Sequence, residues 1–255
     1  MKKILKKDLI FIIFLLIAIF SFVNIKPLDD LDELWNYNFA RNILDGLFPY
    51  KDFNIIVTPF ASMVSAVFLK IFGNELIVMR LVCAVLFTLI FYLTFKIFEK
   101  LFGKNKIYKG IAIFSVLIFF YIYIDNFRID YNFFSIFLLL IALNMELSFI
   151  SNLNENSQIQ LMGADLRKNF LIGVLLGLIV LTKQSIGAIA IFIGIFYTIL
   201  LCQNKKDIKV LFKIIGFRIL GAFLPCLIFL IYLLYNNLLQ DFLSYAVFRN
   251  IIICK

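Results

Sequence analysis

The sequence predicts an all-α, polytopic membrane protein with about seven spanning helices and two further helices lying on the outer membrane surface. The composition is 63% hydrophobic and 16% charged, with a mean hydropathy of +1.00. Apolar runs long enough to cross a bilayer alternate with short, lysine-rich loops. The net charge of +9 resides mostly in those loops and forms no solvated basic face, so we expect no nucleic-acid partner.

The lysines predict the orientation of the chain. MKKILKK precedes an apolar run at residues 9–25 that lacks a small-residue cleavage site, which indicates a signal anchor with a cytoplasmic N-terminus. Residues 55–72 are expected to lie on the outer surface, because a crossing there would place the lysine-rich loop 96–109 outside. The remaining expected spans are 76–98, 107–124, 131–150, 170–182, 186–202 and 214–235. The polar segment 151–169 is expected to be a cytoplasmic loop.

The expected outer loop, residues 26–75, is unusually acidic. Six of the sixteen carboxylates of the chain fall between residues 29 and 52. Residues 30–46 have the pattern of a surface helix, with Leu31, Trp35, Phe39 and Ile43 at every fourth position and Gly46 suited to the C′ position. Asp30 and Glu33 could also form a capping box. A solvated loop and a catalytic or metal-binding loop are both open interpretations of this charge.

The chain contains no histidine, which excludes His general bases, Ser-His-Asp triads and His-ligated zinc. Acid–base chemistry would therefore use carboxylates, lysines or tyrosines. The Asp32-Glu33 pair could act as a general base or bind a divalent cation. Asp130 is either part of a solvated turn or a second acidic contribution to the same site. Lys183 interrupts an apolar stretch and either contacts an anion such as a lipid phosphate or extends to the interface.

Several of these elements follow one another as they do in a known family. They are Asp32-Glu33, the turn GLFPYKD from Gly46 to Asp52, Pro59, Phe72-Gly73, Arg80, Asp130, and Lys183 within GVLLGLIVLTKQSIGAIAI. In this order the pattern resembles the GT-C fold glycosyltransferases, and among them the bacterial PMT-like (RgtA/B/C/D-type) group. The resemblance covers most of residues 10–235. It implies one GT-C-like transmembrane domain over residues 1–255, from which the C-terminal part of the family is missing.

The resemblance implies a hexosyl or pentosyl transferase in the bacterial cell (plasma) membrane. It would move a sugar from a polyprenyl-phosphate-linked donor to a glycan, lipid or protein acceptor of the cell envelope, on the extracytoplasmic face. Asp32 and Glu33 would be catalytic, and the donor or its phosphate would contact Lys183, Arg80, Asp52 and Asp130. If the site uses a cofactor, a divalent cation held by Asp32 and Asp130 is the expected one. A lipid-linked-sugar flippase or transporter, and a non-catalytic fragment or partner of a glycosyltransferase, stay open as alternatives.

Overall fold

The chain is predominantly helical in the residues that the computed structural model describes, which are 6–25, 31–102, 110, 111, 113, 114, 118, 128–155, 158–203 and 208–248. The α-helices are α1 (Lys6–Ile25), α2 (Leu31–Leu44), α3 (Phe60–Phe72), α4 (Leu76–Phe102), α5 (Tyr131–Glu155), α6 (Gln158–Thr182), α7 (Gln184–Gln203), α8 (Ile208–Tyr235) and α9 (Leu239–Phe242). A π-helical segment, Leu243–Phe248, follows α9. The all-α prediction is therefore confirmed for the described part of the chain.

Four of these helices are long and apolar enough to cross a membrane, judged on the described residues alone. The candidate spans are Asp8–Ile25, Leu76–Phe102, Tyr131–Phe149 and Leu211–Tyr235. They coincide with four of the expected spans, so the prediction of a membrane protein is supported, whereas the count of about seven stays a prediction. The expected span 107–124 lies largely outside the described residues.

The polar segment 151–169 is mostly helical, so the loop expected there was wrong. Helix α5 continues to Glu155, and α6 already begins at Gln158. Ten of its nineteen residues are Leu, Gln, Glu, Met, Ala, Arg or Lys, which are good helix formers. Polarity indicates where a helix leaves the apolar phase and does not by itself end the helix. The expected spans 170–182 and 186–202 accordingly lie in the second half of α6 and in α7.

The two surface helices expected between the first spans, at 30–46 and within 55–72, are present as α2 and α3. Gly46 has φ +86°, a left-handed value suited to the residue just after a helix, as expected for C′. Asp30, the other half of the expected capping box, lies outside the described residues. At about 1.5 Å per residue, the 13 residues of α3 span only about 20 Å, which is shorter than the apolar core of a bilayer.

Helix α3 buries two small polar residues and exposes several large apolar ones. Ser62 and Ser65 are buried, whereas Val67, Ile71 and Phe72 are exposed. The same inversion occurs on α2, where Glu33 is buried and Trp35 is exposed. An exposed apolar stripe of this kind is the face that an amphipathic helix presents to lipid.

The chain forms two compact units, of which the first comprises the described parts of residues 1–45 and 62–140. Its core lies where α1 packs along α4. The most deeply buried large side chains there are Ile19, Val23, Leu69, Phe87, Ile90 and Phe91. At one end of the two helices, Lys96 Nζ lies 2.9 Å from Asp8 Oδ2. This ion pair links the first turn of α1 to α4.

The second unit comprises the described parts of residues 46–61 and 141–255. Helices α6 and α8 approach so closely that glycine is required between them. A Cβ atom on Gly173 would lie 2.2 Å from the backbone oxygen of Arg218, and one on Gly221 would lie 2.1 Å from that of Phe170. Such small-residue contacts are typical of helices that pack within a membrane. Whether the two units belong to one GT-C-like domain stays a prediction.

Candidate functional site

Glu33 and Arg80 form a buried, bidentate ion pair in the first unit. Arg80 Nε donates to Glu33 Oε1 at 2.8 Å, and Arg80 Nη2 donates to Glu33 Oε2 at 2.9 Å. The two side chains are only 5% and 10% exposed. Glu33 lies in the first turn of α2 and Arg80 near the beginning of α4, so the pair fixes one helix start against the other.

Asp32 precedes Glu33 directly and has a different environment. Its side chain is 49% exposed, and its Oδ2 accepts a hydrogen bond of 2.8 Å from Arg128 Nη2. Successive residues of a helix point about 100° apart, so the buried Glu33 places Asp32 at the surface of the unit. Asp32 can therefore meet a ligand while Glu33 stays in the interior.

Asp130 caps helix α5 and also supports Arg128. Its Oδ1 accepts a 2.8 Å hydrogen bond from the backbone N–H of Phe133, the third helical residue, as an N-cap does. Its Oδ2 lies 3.5 Å from Arg128 Nε, and its side chain is only 4% exposed. Burial raises the pKa of Asp130, while the Phe133 N–H, Arg128 and Asn132 act in the opposite direction.

The structure thus brings together four of the predicted site residues, Asp32, Glu33, Arg80 and Asp130, in one unit. Arg128, a polar residue of the turn that precedes α5, contacts two of them, Asp32 and Asp130. An accessible carboxylate next to a guanidinium can accept a hydroxyl proton while the guanidinium stabilises an anion. This is a chemical capacity of the site, independent of any family.

The expected metal role of Asp32 and Asp130 stays a prediction. In the described residues, no three His, Cys, Asp or Glu side chains are grouped as metal ligands would be. Both carboxylates contact the same guanidinium, that of Arg128. A divalent cation between them would have to displace that positive charge, so the residues as arranged do not fit a metal centre.

Asp52 belongs to the second unit, where it stabilises the GLFPYKD turn. Its Oδ2 accepts a 2.7 Å hydrogen bond from the backbone N–H of Phe48. Within the turn, Tyr50 has φ +73°, a left-handed value rare for an aromatic residue, and its buried hydroxyl donates to the backbone oxygen of Val57. Burial raises the pKa of Tyr50. The turn is therefore built from its own side chains, and its predicted contact with a donor is untested.

Lys183 also belongs to the second unit, at the junction between α6 and α7. Its backbone N–H donates to the oxygen of Ile179, and its oxygen accepts from Gly187 N–H. Nearby, Thr58 Oγ1 donates to the backbone oxygen of Val180, at 3.1 Å, and so attaches the end of the 46–61 segment to α6. Lys183 thus separates α6 from α7, at the point where the sequence shows a break in the apolar stretch. Its role as a phosphate contact stays a prediction.

A buried polar cluster in the second unit was missed by the sequence analysis. Arg218 of α8 contacts Glu146 through Nη2 at 2.8 Å to both carboxylate oxygens, Asn169 through Nε at 2.8 Å, and Thr198 through Nη1 at 2.7 Å. These partners come from α5, α6 and α7, so four helices meet at one guanidinium. The signal was available, because an ionisable residue within an apolar span predicts a partner.

Arg128 was present in the sequence as a polar turn residue but carried no signal of its function. Its importance comes from Asp32, which is 96 residues away in sequence and only 2.8 Å away in the folded unit.

Comparison of the chain with protein-family models, with curated proteins and with solved structures finds no match. The proposed function therefore rests on the residues of the site.

Proposed function

We propose that this protein is a membrane glycosyltransferase that moves a sugar from a polyprenyl-phosphate donor to a cell-envelope acceptor on the extracytoplasmic face. The observation that carries the proposal is the pairing of an accessible carboxylate, Asp32, with a guanidinium, Arg128, at a helix start fixed by a buried ion pair. Sugar transfer from a phosphate-linked donor needs a proton acceptor and a group that stabilises an anion, because the acceptor hydroxyl loses a proton and the phosphate leaves as an anion. Asp32 and Arg128 can supply these two functions.

The roles of the residues follow from their exposure. Asp32 accepts the proton of the acceptor hydroxyl, since its side chain is half exposed. Glu33 and Arg80 position Asp32 from the interior, and Asp130 supports Arg128 while capping α5. The bilayer supplies the donor laterally, because a polyprenyl chain stays in the apolar phase while its phosphate reaches the interface. The apolar surfaces of α2 and α3 would lie at that interface.

The proposal is tested by mass spectrometry of cell-envelope glycans from a strain in which the gene is deleted. We expect one hexose or pentose to be missing from one glycan, and restored by the wild-type chain. An unchanged set of glycans in the deletion strain, compared with the parent strain, would contradict the proposal.

A lipid-linked-sugar flippase is the second candidate, and the Glu146–Arg218 pair favours it. Transporters place paired ionisable residues within their spanning helices, and both residues lie inside candidate spans. Proteoliposomes that contain the donor but lack an acceptor separate the two functions. A flippase moves the labelled donor between leaflets, whereas a glycosyltransferase leaves its distribution unchanged until an acceptor is added.

A further inference from the structure

Arg128 lies between two carboxylates that differ in their access to solvent. The inner partner, Asp130, is 4% exposed, and the outer partner, Asp32, is 49% exposed. Arg128 itself is 17% exposed. A ligand that approaches the surface of this unit therefore meets the contact between Arg128 and Asp32 before it meets the contact with Asp130.

The contact between Arg128 and Asp130 is also the harder of the two to break. Asp130 accepts a hydrogen bond from the backbone N–H of Phe133 and so caps the N-terminus of α5. Displacing it would leave that amide buried without its acceptor. The Asp32 side chain is half exposed, and ion pairs with a half-exposed partner are weak. Exchange of the Arg128 partner is therefore expected on the Asp32 side.

A phosphate group matches what Arg128 offers. A guanidinium can donate two parallel hydrogen bonds to phosphate oxygens, which are stronger than a single bond to an exposed carboxylate. Arg80 is less suited to this role, because its Nε and Nη2 already donate to Glu33 and its side chain is 10% exposed. Among the two arginines of this cluster, Arg128 is the accessible one.

We propose that Arg128 binds the phosphate group of the ligand and that this phosphate competes with the Asp32 carboxylate for the guanidinium. The inference rests on the proposed function, in which the phosphate is that of a polyprenyl phosphate. Without a ligand, the Asp32–Arg128 contact holds the proposed base in an ion pair. When the phosphate binds, Arg128 Nη2 no longer donates to Asp32. The Asp32 carboxylate can then accept a hydrogen bond, and afterwards the proton, from the hydroxyl of the acceptor. The contact is thus autoinhibitory and is relieved by the donor itself.

Trp35 provides the signal for a binding test. It is the single tryptophan of the chain, it is 56% exposed, and it lies about one turn after Asp32 on α2. Its fluorescence is followed while the full chain, in nanodiscs, is titrated with a long-chain polyprenyl monophosphate. The uncharged polyprenol of the same length is the ligand control, and inorganic phosphate is added as a competitor. Arg41→Gln is the matched protein control, because Arg41 is an exposed arginine on the same helix.

We expect Arg128→Gln to weaken binding of the polyprenyl monophosphate at least about tenfold, and Arg41→Gln to leave it unchanged. Arg128→Lys keeps the charge but loses the planar guanidinium, so it should bind the phosphate with intermediate affinity. It replaces Arg128→Gln as the test variant if Arg128→Gln does not fold. The decisive comparison is Asp32→Asn, which should tighten binding in the presence of Arg128 but not in the Arg128→Gln background. Competition by inorganic phosphate that also depends on Arg128 would show that the phosphate group alone is recognised.

Equal tightening by Asp32→Asn with and without Arg128 would overturn the inference, because Asp32 would then act by simple repulsion. Unchanged binding in Arg128→Gln, or equal binding of polyprenol and its phosphate, would overturn it as well. These results leave the glycosyltransferase proposal intact if the wild-type chain still transfers sugar. Conversely, the expected binding pattern in a chain that transfers no sugar would support the phosphate site and contradict the proposed function.

Discussion

The Arg80 guanidinium donates two hydrogen bonds to the Glu33 carboxylate, and this pair fixes the beginning of α2 against the beginning of α4. Asp32 is the residue before Glu33, so its position depends on the same pair. The two acidic neighbours therefore have separate tasks in the proposed enzyme. Glu33 positions the helix from the interior, and Asp32 meets the ligand.

Removing one partner of the Glu33–Arg80 pair should destabilise the protein more than removing both. Glu33→Gln or Arg80→Gln leaves the other charge buried, at a cost of about 3 kcal/mol in the free energy of unfolding. The double variant contains neither charge and should recover part of that loss. Unfolding in mixed micelles measures the three values, with Arg41→Gln as an exposed control. Strictly additive losses would contradict the account.

The buried carboxyl of Asp130 predicts a pH dependence with a definite sign. Its pKa in the folded protein is raised above the ordinary value of 3.8, so its stabilising contribution is fully present below that value. The contribution is lost as the pH rises through the raised pKa. Asp130→Asn keeps the N-cap acceptor without the charge, so its stability relative to wild type should increase with pH above about 4. Thermal midpoints measured across that range test the sign, and a relative decrease would mean that the Arg128 contact outweighs burial.

The cluster around Arg218 should be essential to the second unit. Arg218→Met leaves the Glu146 carboxylate buried without its guanidinium, at an expected cost of about 3–5 kcal/mol. Arg218→Lys should recover little, because an ammonium cannot reach Glu146, Asn169 and Thr198 with a planar fork. Ile219→Ala, at the next and exposed position of α8, is the control. Equal thermal midpoints for Arg218→Met and Ile219→Ala in nanodiscs would contradict this role.

The close packing of α6 and α8 predicts a difference between two glycines. Gly173→Val should be strongly destabilising, because its Cβ would overlap backbone atoms of Arg218 that cannot rotate away. Gly216→Val is the matched control on α8, since no atom lies within 4 Å of its Cβ position. We expect a loss of about 3 kcal/mol or failure to fold for the first, and a change within about 0.5 kcal/mol for the second. Similar thermal midpoints in detergent would refute the close approach.

Local patterns in the sequence predicted most of the helices, but not which face of each helix is buried. The range predicted for α2, 30–46, differs from the observed Leu31–Leu44 by only one or two residues at each end, and Gly46 has the left-handed φ expected for C′. The same patterns could not say which face is buried. On α3 the two serines are buried together with Leu69, whereas Val67, Ile71 and Phe72 are exposed. Lipid and protein interior are both apolar, so hydrophobicity does not distinguish the two faces.

The site was predictable only in part, for a related reason. The sequence identified Asp32, Glu33, Arg80 and Asp130 as candidates, but not that Glu33 is buried while Asp32 is half exposed. That difference depends on Arg80, which is 47 residues from Glu33 in sequence. Lys96 is a similar case, since it was counted as a loop charge and lies within α4, paired with Asp8. Pairing over long sequence distances is set by packing, which local patterns do not contain.

The central claim is that Asp32 accepts the proton of the acceptor hydroxyl. Asp32→Asn and its matched control Asp45→Asn, an exposed aspartate that follows the same helix, are each expressed in the deletion strain and scored for the missing sugar. The account predicts that Asp32→Asn lowers the rate of transfer by about 10²- to 10⁴-fold with a normal thermal midpoint, whereas Asp45→Asn restores the glycan fully. Full restoration by Asp32→Asn would contradict the assignment of Asp32 as the base.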